Sequence, residues 1–282
     1  MEPTEKNTPL YSYTMVDDAK TFFLDVDFNL SGHSQSVKDS DQSYKKKYAF
    51  HHSSWHSSHS HETIPGKLKF ERVVTEEGAT FGYEVLLCES QSIYSSGFQN
   101  RSLVNDILFL QIDTICSYVS SIDNLEITSG ITIFINVEPW QLSLKKVIGR
   151  LIDLAEFLIV FEVHTCIEIT ERHTEDLCIS SIHEHLFWLR KNKVKIALDD
   201  FCLYETSWRS LLMRYFSCID YLKIDVSDSE EILDPINFLD FISSVNHLPT
   251  LIFERVEEVE DYVKICKLPH SKNKLLQGFL FP

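Results

Sequence analysis

From residue 67 onward, apolar residues recur in short runs of the kind that form buried strands. Many of these residues are β-branched or aromatic, and turn-type residues separate the runs. The eight runs are KLKFERVV (67–74), FGYEVLLC (81–88), ITIFINV (131–137), HTCIEIT (164–170), VKIALDD (194–200), IDYLKID (219–225), TLIFERV (250–256) and LLQGFLF (275–281). Between most of them lie segments with helical periodicity, such as 102–120, 175–190 and 230–245. This alternation predicts an α/β fold, a closed TIM-like (β/α)8 barrel.

One connection departs from the barrel pattern. The first two runs are joined only by TEEGAT (75–80), which is too short for a crossover between parallel strands. They should form an antiparallel hairpin. The predicted barrel therefore has one reversed strand.

The composition changes near TIPGK (63–67). Residues 33–61 are rich in Ser, His, Lys and Asp, and they run into HHSSWHSSHSHE (51–62). A segment with so few apolar residues cannot pack on itself, so residues 1–66 are predicted to form a largely disordered extension. Within it, KTFFLDVDFNL (20–30) alternates well enough to be a strand. Residues 67–282 are predicted to form the barrel domain.

The charge and cysteine content exclude several function classes. The formal net charge of −16 argues against binding to nucleic acid polymers or to an anionic membrane surface. Seven scattered cysteines without a C-x-x-C motif favour reduced thiols in a cytosol. The first twenty residues lack the basic-then-apolar order of a signal peptide. We therefore expect a soluble, cytoplasmic protein.

Polar residues stand at the ends of seven predicted strands, at the barrel face where active sites lie. These residues are Glu84, Asn136, Glu168, Asp199, Asp200, Lys223, Asp225, Glu254 and Gln277. Oxygen ligands without Cys or His favour Mg²⁺ or Mn²⁺. Two such ions bridged by a carboxylate are a common device for phosphodiester hydrolysis, and they would offset the repulsion between Asp199 and Asp200. The alternative is a strand-to-helix turn in which Asp200 or Thr206 caps the next helix.

Seven segments match, in order and spacing, the motifs of one known family. They are GYEVLLC (82–88), INVEPWQL (135–142), IEITE (167–171), ALDDF (197–201), YLKID (221–225), FERVE (253–257) and QGFLF (277–281). Over residues 67–282 the chain resembles the EAL domain, a family of bacterial cyclic di-GMP phosphodiesterases. The resemblance implies metal-dependent opening of cyclic di-GMP to linear pGpG.

The resemblance also implies roles for individual residues. The first metal would be held by Glu84, Asn136, Glu168 and Asp199, and the second by the bridging Asp199 with Asp200 and Glu254. The catalytic set would be Lys223, Glu84, Asp200 and Glu254, with Lys223 orienting the attacking water. Glu171 resembles the glutamate that braces the loop after the aspartates. Gln277, on the substrate rim, and Asp225 are expected to contact the substrate.

Departures from the family pattern keep a second function open. Cys88 stands where the family has an arginine that contacts a substrate phosphate, and the loop DFCLYET (200–206) lacks the usual glycines. Phe253 and Arg255 replace small residues around Glu254. The alternative to the enzyme is a catalytically weak or inactive domain that senses cyclic di-GMP or regulates a protein partner. The family's dimer contact involves the altered loop, so a homodimer is left open.

Overall fold

The computed structural model describes residues 13–15, 22–29, 63–88, 101–120, 130–170, 179–201, 218–227, 233–244, 249–269 and 274–281. The strands are β1 (Tyr13–Met15), β2 (Phe22–Asn29), β3 (Thr63–Thr75), β4 (Thr80–Cys88), β5 (Thr132–Val137), β6 (His164–Ile169), β7 (Lys195–Leu198), β8 (Tyr221–Asp225), β9 (Thr250–Glu254) and β10 (Lys274–Gln277). The helices are α1 (Arg101–Ser120), α2 (Lys145–Leu158), α3 (Ile179–Lys191), α4 (Pro235–Ser244) and α5 (Val259–Lys267). Short 3₁₀ turns cover Pro139–Ser143 and Ile159–Phe161.

Strands β3 to β10 close into a barrel. Each strand from β4 to β9 pairs in parallel with the next one along the chain. Strand β3 completes the circle by pairing antiparallel with both β4 and β10. The predicted (β/α)8 barrel with one reversed strand is confirmed.

Two N-terminal strands extend the sheet beyond the barrel. Strand β2 pairs antiparallel with β3 from Phe22 opposite Phe70 to Asn29 opposite Thr63, and β1 pairs with β2. The strand predicted within 20–30 is thus present, and TIPGK (63–67) belongs to β3 itself. The histidine-rich tract lies outside the described residues. The disorder of residues 1–66 and the boundary after residue 66 stay predictions.

The main core lies between the barrel and its helices. Helix α1 buries Ile112 and Ile115 completely, and α2 does the same with Leu151 and Leu154. These residues are three apart, so they lie on one face of each helix. None of the helices within the described ranges is both long and apolar enough to cross a membrane.

A second core fills the barrel interior. It consists of Val73, Phe134, Cys166, Ala197, Tyr221, Ile252 and Leu275, one residue from each barrel strand except β4. On β4 the corresponding position is Gly82. A Cβ atom there would lie 2.1 Å from the carbonyl oxygen of Thr132, so no larger residue fits without movement. The lower part of the barrel is therefore a packed core and not a channel.

Candidate functional site

A polar side chain follows each interior residue at a spacing of two along the strand. The pairs are Gly82 and Glu84, Phe134 and Asn136, Cys166 and Glu168, Ala197 and Asp199, Tyr221 and Lys223, Ile252 and Glu254, and Leu275 and Gln277. Alternate residues of a strand point to the same face, so all of these polar groups point into the barrel near its mouth. The strand-end residues predicted from the sequence are thereby brought together.

Lys223 is the centre of this cluster. Its side chain is 1% exposed, and its Nζ lies 3.0 Å from Glu84, 2.8 Å from Glu168, 3.3 Å from Asp199 and 2.8 Å from Glu254. Burial lowers the pKa of Lys223, but the four carboxylates outweigh it and raise that pKa well above its usual value. Lys223 therefore carries a fixed positive charge.

Glu84 accepts hydrogen bonds at both of its carboxylate oxygens. It accepts hydrogen bonds from Asn136 Nδ2 at 2.9 Å, from Lys223 Nζ at 3.0 Å and from Gln277 Nε2 at 2.7 Å. Burial acts to raise the pKa of Glu84, but the Lys223 ammonium and the two amide donors lower it to about 2. Glu84 is held as a carboxylate in a fixed orientation.

The pKa values of Glu168 and Glu254 are raised, in contrast to that of Glu84. Burial raises the pKa of Glu168 well above its usual value, and the neighbouring Glu84 carboxylate adds to the effect. Burial also raises the pKa of Glu254, which Asp199 and Glu84 raise further against the opposing Lys223 charge. Among the residues that the structure describes, one ammonium faces four carboxylates, which is too little positive charge to compensate them.

The residues present fit divalent cations. Glu168 Oε1 is buried and receives no hydrogen bond within the described part of the chain. One carboxylate oxygen each from Asp199, Asp200 and Glu254 lies within 4.8 Å of the others. Such oxygen sets suit hard cations that also offset the excess negative charge. The backbone of Asp200 is left-handed at φ 46°, two residues after strand β7 ends at Leu198.

Two predicted substrate-binding residues are engaged by the protein itself. Asp225 is 5% exposed, accepts hydrogen bonds from Ser227 and lies 3.0 Å from the Arg255 guanidinium. Gln277 is 4% exposed and lies beside Glu84, whereas the sequence predicts it on the rim. Their contact with substrate stays a prediction. Glu171 and the loop from residue 202 lie outside the described residues.

Two further residues of the mouth were missed by sequence reasoning. Glu71 on β3 is the register partner of Glu84, and its Oε2 lies 3.2 Å from Gln277 Nε2. Glu138 is buried after β5 and accepts a hydrogen bond from Thr170. The backbone N–H of Glu138 also donates to Gln141 Oε1, and the E-x-x-Q spacing is a sequence signal for this local bond.

The model of the EAL domain family matches residues 70–281, three quarters of the chain. The chain belongs to the EAL domain family. A comparison with curated proteins gives no match.

Solved EAL structures share the fold at low identity. The EAL enzyme Bd1971 with cAMP and cyclic di-GMP bound is 22% identical, with a TM-score of 0.54 over 76% of this chain and 60% of that one. The PaMucR phosphodiesterase in complex with c-di-GMP is 19% identical, with a TM-score of 0.56 over 76% of this chain and 89% of that one. The Bacillus subtilis YkuI protein, in complex with c-di-GMP and calcium, is also 19% identical with a TM-score of 0.56, over 76% of this chain and 54% of that one. This EAL chain thus spans less than two thirds of Bd1971 and of YkuI.

Proposed function

We propose that this EAL domain hydrolyses one phosphodiester bond of cyclic di-GMP to give linear pGpG, with two divalent cations, Mg²⁺ or Mn²⁺. One observation carries the proposal. The carboxylates of Glu84, Glu168, Asp199 and Glu254 each lie within 3.3 Å of Lys223 Nζ, and the five residues lie in or directly after five different strands. A barrel needs no such cluster for stability, because several buried carboxylates around one lysine are costly.

The ligand sets are those that the family resemblance implies, and the acidic group of Asp199, Asp200 and Glu254 at the mouth supports them. The first cation would be held by Glu84, Asn136, Glu168 and Asp199, and the second by Asp199, Asp200 and Glu254. Bound there, such ions supply positive charge to the phosphate and lower the pKa of a bound water. Asn136 and Gln277 keep the Glu84 carboxylate in one orientation through their hydrogen bonds.

Lys223 provides a proton donor and a fixed charge at the centre of the site. Its raised pKa keeps Nζ protonated, so it can donate a hydrogen bond to the attacking water oxygen and hold it in place. In the reaction, that oxygen bonds to phosphorus while the bond from phosphorus to one ribose oxygen breaks. The attacking water gives up one proton, the departing ribose oxygen takes one up, and linear pGpG results.

A second candidate is a cyclic di-GMP sensor or protein-binding regulator without turnover. The observation that favours it is the state of Asp225 and Gln277, which are both buried and bonded to protein groups. Polar groups so engaged are less available to a substrate. Cys88, in place of the family's arginine, points the same way.

The test is hydrolysis of cyclic di-GMP by the full-length chain with Mg²⁺ or Mn²⁺, followed by chromatography for pGpG. We expect product from the wild type and a loss of at least about 100-fold in Glu84→Ala, because a metal site acts as a unit. Glu76→Gln is the control, since Glu76 pairs with Lys274 outside the carboxylate cluster. Binding of cyclic di-GMP without product would favour the regulator. Absence of both binding and product would refute both candidates.

A further inference from the structure

Glu71 lies beside Glu84, one of the proposed metal ligands. It is the Cα partner of Glu84 in the antiparallel pair of β3 and β4. Side chains of such partners lie on the same face of the sheet, here the face that lines the mouth. Because β3 runs in reverse, Glu71 stands two residues from the interior residue Val73 in the direction of the mouth. All eight barrel strands therefore contribute a polar group to the mouth of the barrel.

A single amide connects the two carboxylates. Gln277 Nε2 lies 2.7 Å from Glu84 Oε2 and 3.2 Å from Glu71 Oε2. An amide nitrogen carries two hydrogens, so each carboxylate receives one. In the reverse orientation, the amide oxygen would face both carboxylates and repel them. Glu71 thus favours the one orientation in which Gln277 donates to Glu84.

Lys69 offsets the charge of Glu71. Its ammonium forms an ion pair with Glu71 Oε1, the oxygen that Gln277 does not contact. The Lys69 and Glu71 side chains are 22% and 27% exposed, so the pair lies at the edge of the buried cluster. Glu71 can therefore stand next to Glu84 without adding an uncompensated charge to it.

We propose that Glu71 is a positioning residue for Glu84 that acts through Gln277, with Lys69 as its counter-charge. The inference rests on the proposed function, because it requires Glu84 to bind a metal. Groups that orient a metal ligand from behind change metal affinity without touching the ion. Glu71 thereby sets how tightly the Glu84 site holds a divalent cation.

The experiment is calorimetric titration of the chelator-treated, full-length chain with Mn²⁺. We expect Glu71→Met to weaken Mn²⁺ binding by about tenfold, because Gln277 loses the acceptor that fixes its amide. Glu71→Gln should stay within about twofold of the wild type, since its side-chain oxygen can still accept from Gln277. Glu76→Met is the matched control, an ion-paired glutamate just after the same strand, and should leave Mn²⁺ affinity unchanged.

A double mutant tests the path through Gln277. In a Gln277→Leu background, Glu71→Met should weaken Mn²⁺ binding by less than about twofold, since the two changes break one connection. Additive losses in the double mutant would overturn the proposal.

Wild-type Mn²⁺ affinity in Glu71→Met would also overturn it, provided that Glu84→Ala loses Mn²⁺ binding. Wild-type affinity in Glu84→Ala would instead refute the proposed function. If Glu71→Met does not fold, Glu71→Ala replaces it, with a loss of about tenfold expected and an unchanged affinity as the refuting result.

Discussion

The mouth and the interior of the barrel are built by the same strands and differ entirely in chemistry. In the interior, the rings of Phe81, Phe134 and Tyr221 pack with centroids 5.5 to 6.3 Å apart. Two residues further along the strands, Lys223 lies among four carboxylates. The interior buries apolar area, which stabilises the fold. The mouth buries like charges, which destabilises it.

The contrast shows how a two-residue period separates stability from chemistry. Because alternate residues of a strand share a face, a single register of the strands positions both the apolar interior and the polar mouth. Cys166 and Glu168 on β6 illustrate this, since both side chains are completely buried with opposite effects on stability. Substitutions at the two levels should therefore move activity and stability in different ways.

The largest expected effect is on activity at the mouth. Glu168→Gln should lower the turnover of cyclic di-GMP by at least about 100-fold, because it removes a charged ligand of the proposed site. The same change should leave the free energy of unfolding unchanged or raise it by about 1 kcal/mol, since one crowded carboxylate is gone. Turnover assays and urea unfolding in chelator measure the two quantities. Glu184→Gln, on the exposed face of α3, is the control. If Glu168→Gln strongly lowered the free energy of unfolding, the proposed contrast between the mouth and the interior would be wrong.

The interior should show the reverse behaviour. Phe134 is completely buried, and Phe134→Ala should lower the free energy of unfolding by about 3–5 kcal/mol through lost burial and a cavity. Thermal and urea unfolding provide the measurement. Phe187→Ala, where the side chain is 60% exposed, should change stability by no more than about 0.5 kcal/mol. Similar losses in both variants would show that the interior is not the stabilising level.

The smallest expected effect is on the pH dependence of stability. Glu168 and Glu254 have pKa values above their ordinary 4.5, so the folded chain holds protons that the unfolded chain releases. Without metal, the free energy of unfolding should therefore fall as the pH rises above 4.5 toward the raised pKa values of these two groups. Glu84, with its pKa of about 2, contributes stability that is lost only as the pH falls from 4.5 toward that value.

Urea titrations in chelator at a series of pH values above 4.5 measure this dependence. Glu168→Gln should reduce it, because one of the two carboxyls with a raised pKa is removed. Excess Mn²⁺ should weaken it as well, since the cation favours the ionised carboxylates. An equal pH dependence in the wild type and in Glu168→Gln would assign the effect to other groups.

The fold was predictable because the barrel strands are short, apolar and separated by turns. The reversed strand followed from one short connection, TEEGAT (75–80). Strand ends were less predictable, since they depend on backbone conformation. Strand β7 ends at Leu198 before Asp200 turns left-handed, and β10 ends at Gln277 before Gly278, whose φ is 146°. A Cβ at Gly278 would lie 2.5 Å from the backbone of Val256, a close approach that a linear pattern does not reveal.

The site was predicted in part, and the missed part has a clear physical reason. In the parallel strands, the polar groups of the mouth lie at the C-terminal ends, where the barrel fold predicts them. In the reversed strand β3, the mouth lies toward the N-terminus, so Glu71 precedes its interior partner Val73. The buried position of Gln277 was also missed, because its partners Glu71 and Glu84 are about 200 residues away in the chain. Long-range pairing of this kind is set by barrel closure.

The pairing of β3 with β10, which closes the barrel, also determines how late in synthesis the barrel can form. Thr75 pairs with Leu275, so this part of the β3 edge stays unpaired until almost the whole domain has been synthesised. Closing so long a loop is entropically costly, and sequence-distant contacts slow folding. An open strand edge is meanwhile a template for aggregation. Strand β2, which is made before β3, pairs with Thr63–Phe70 and so protects the neighbouring stretch of the same edge from the start.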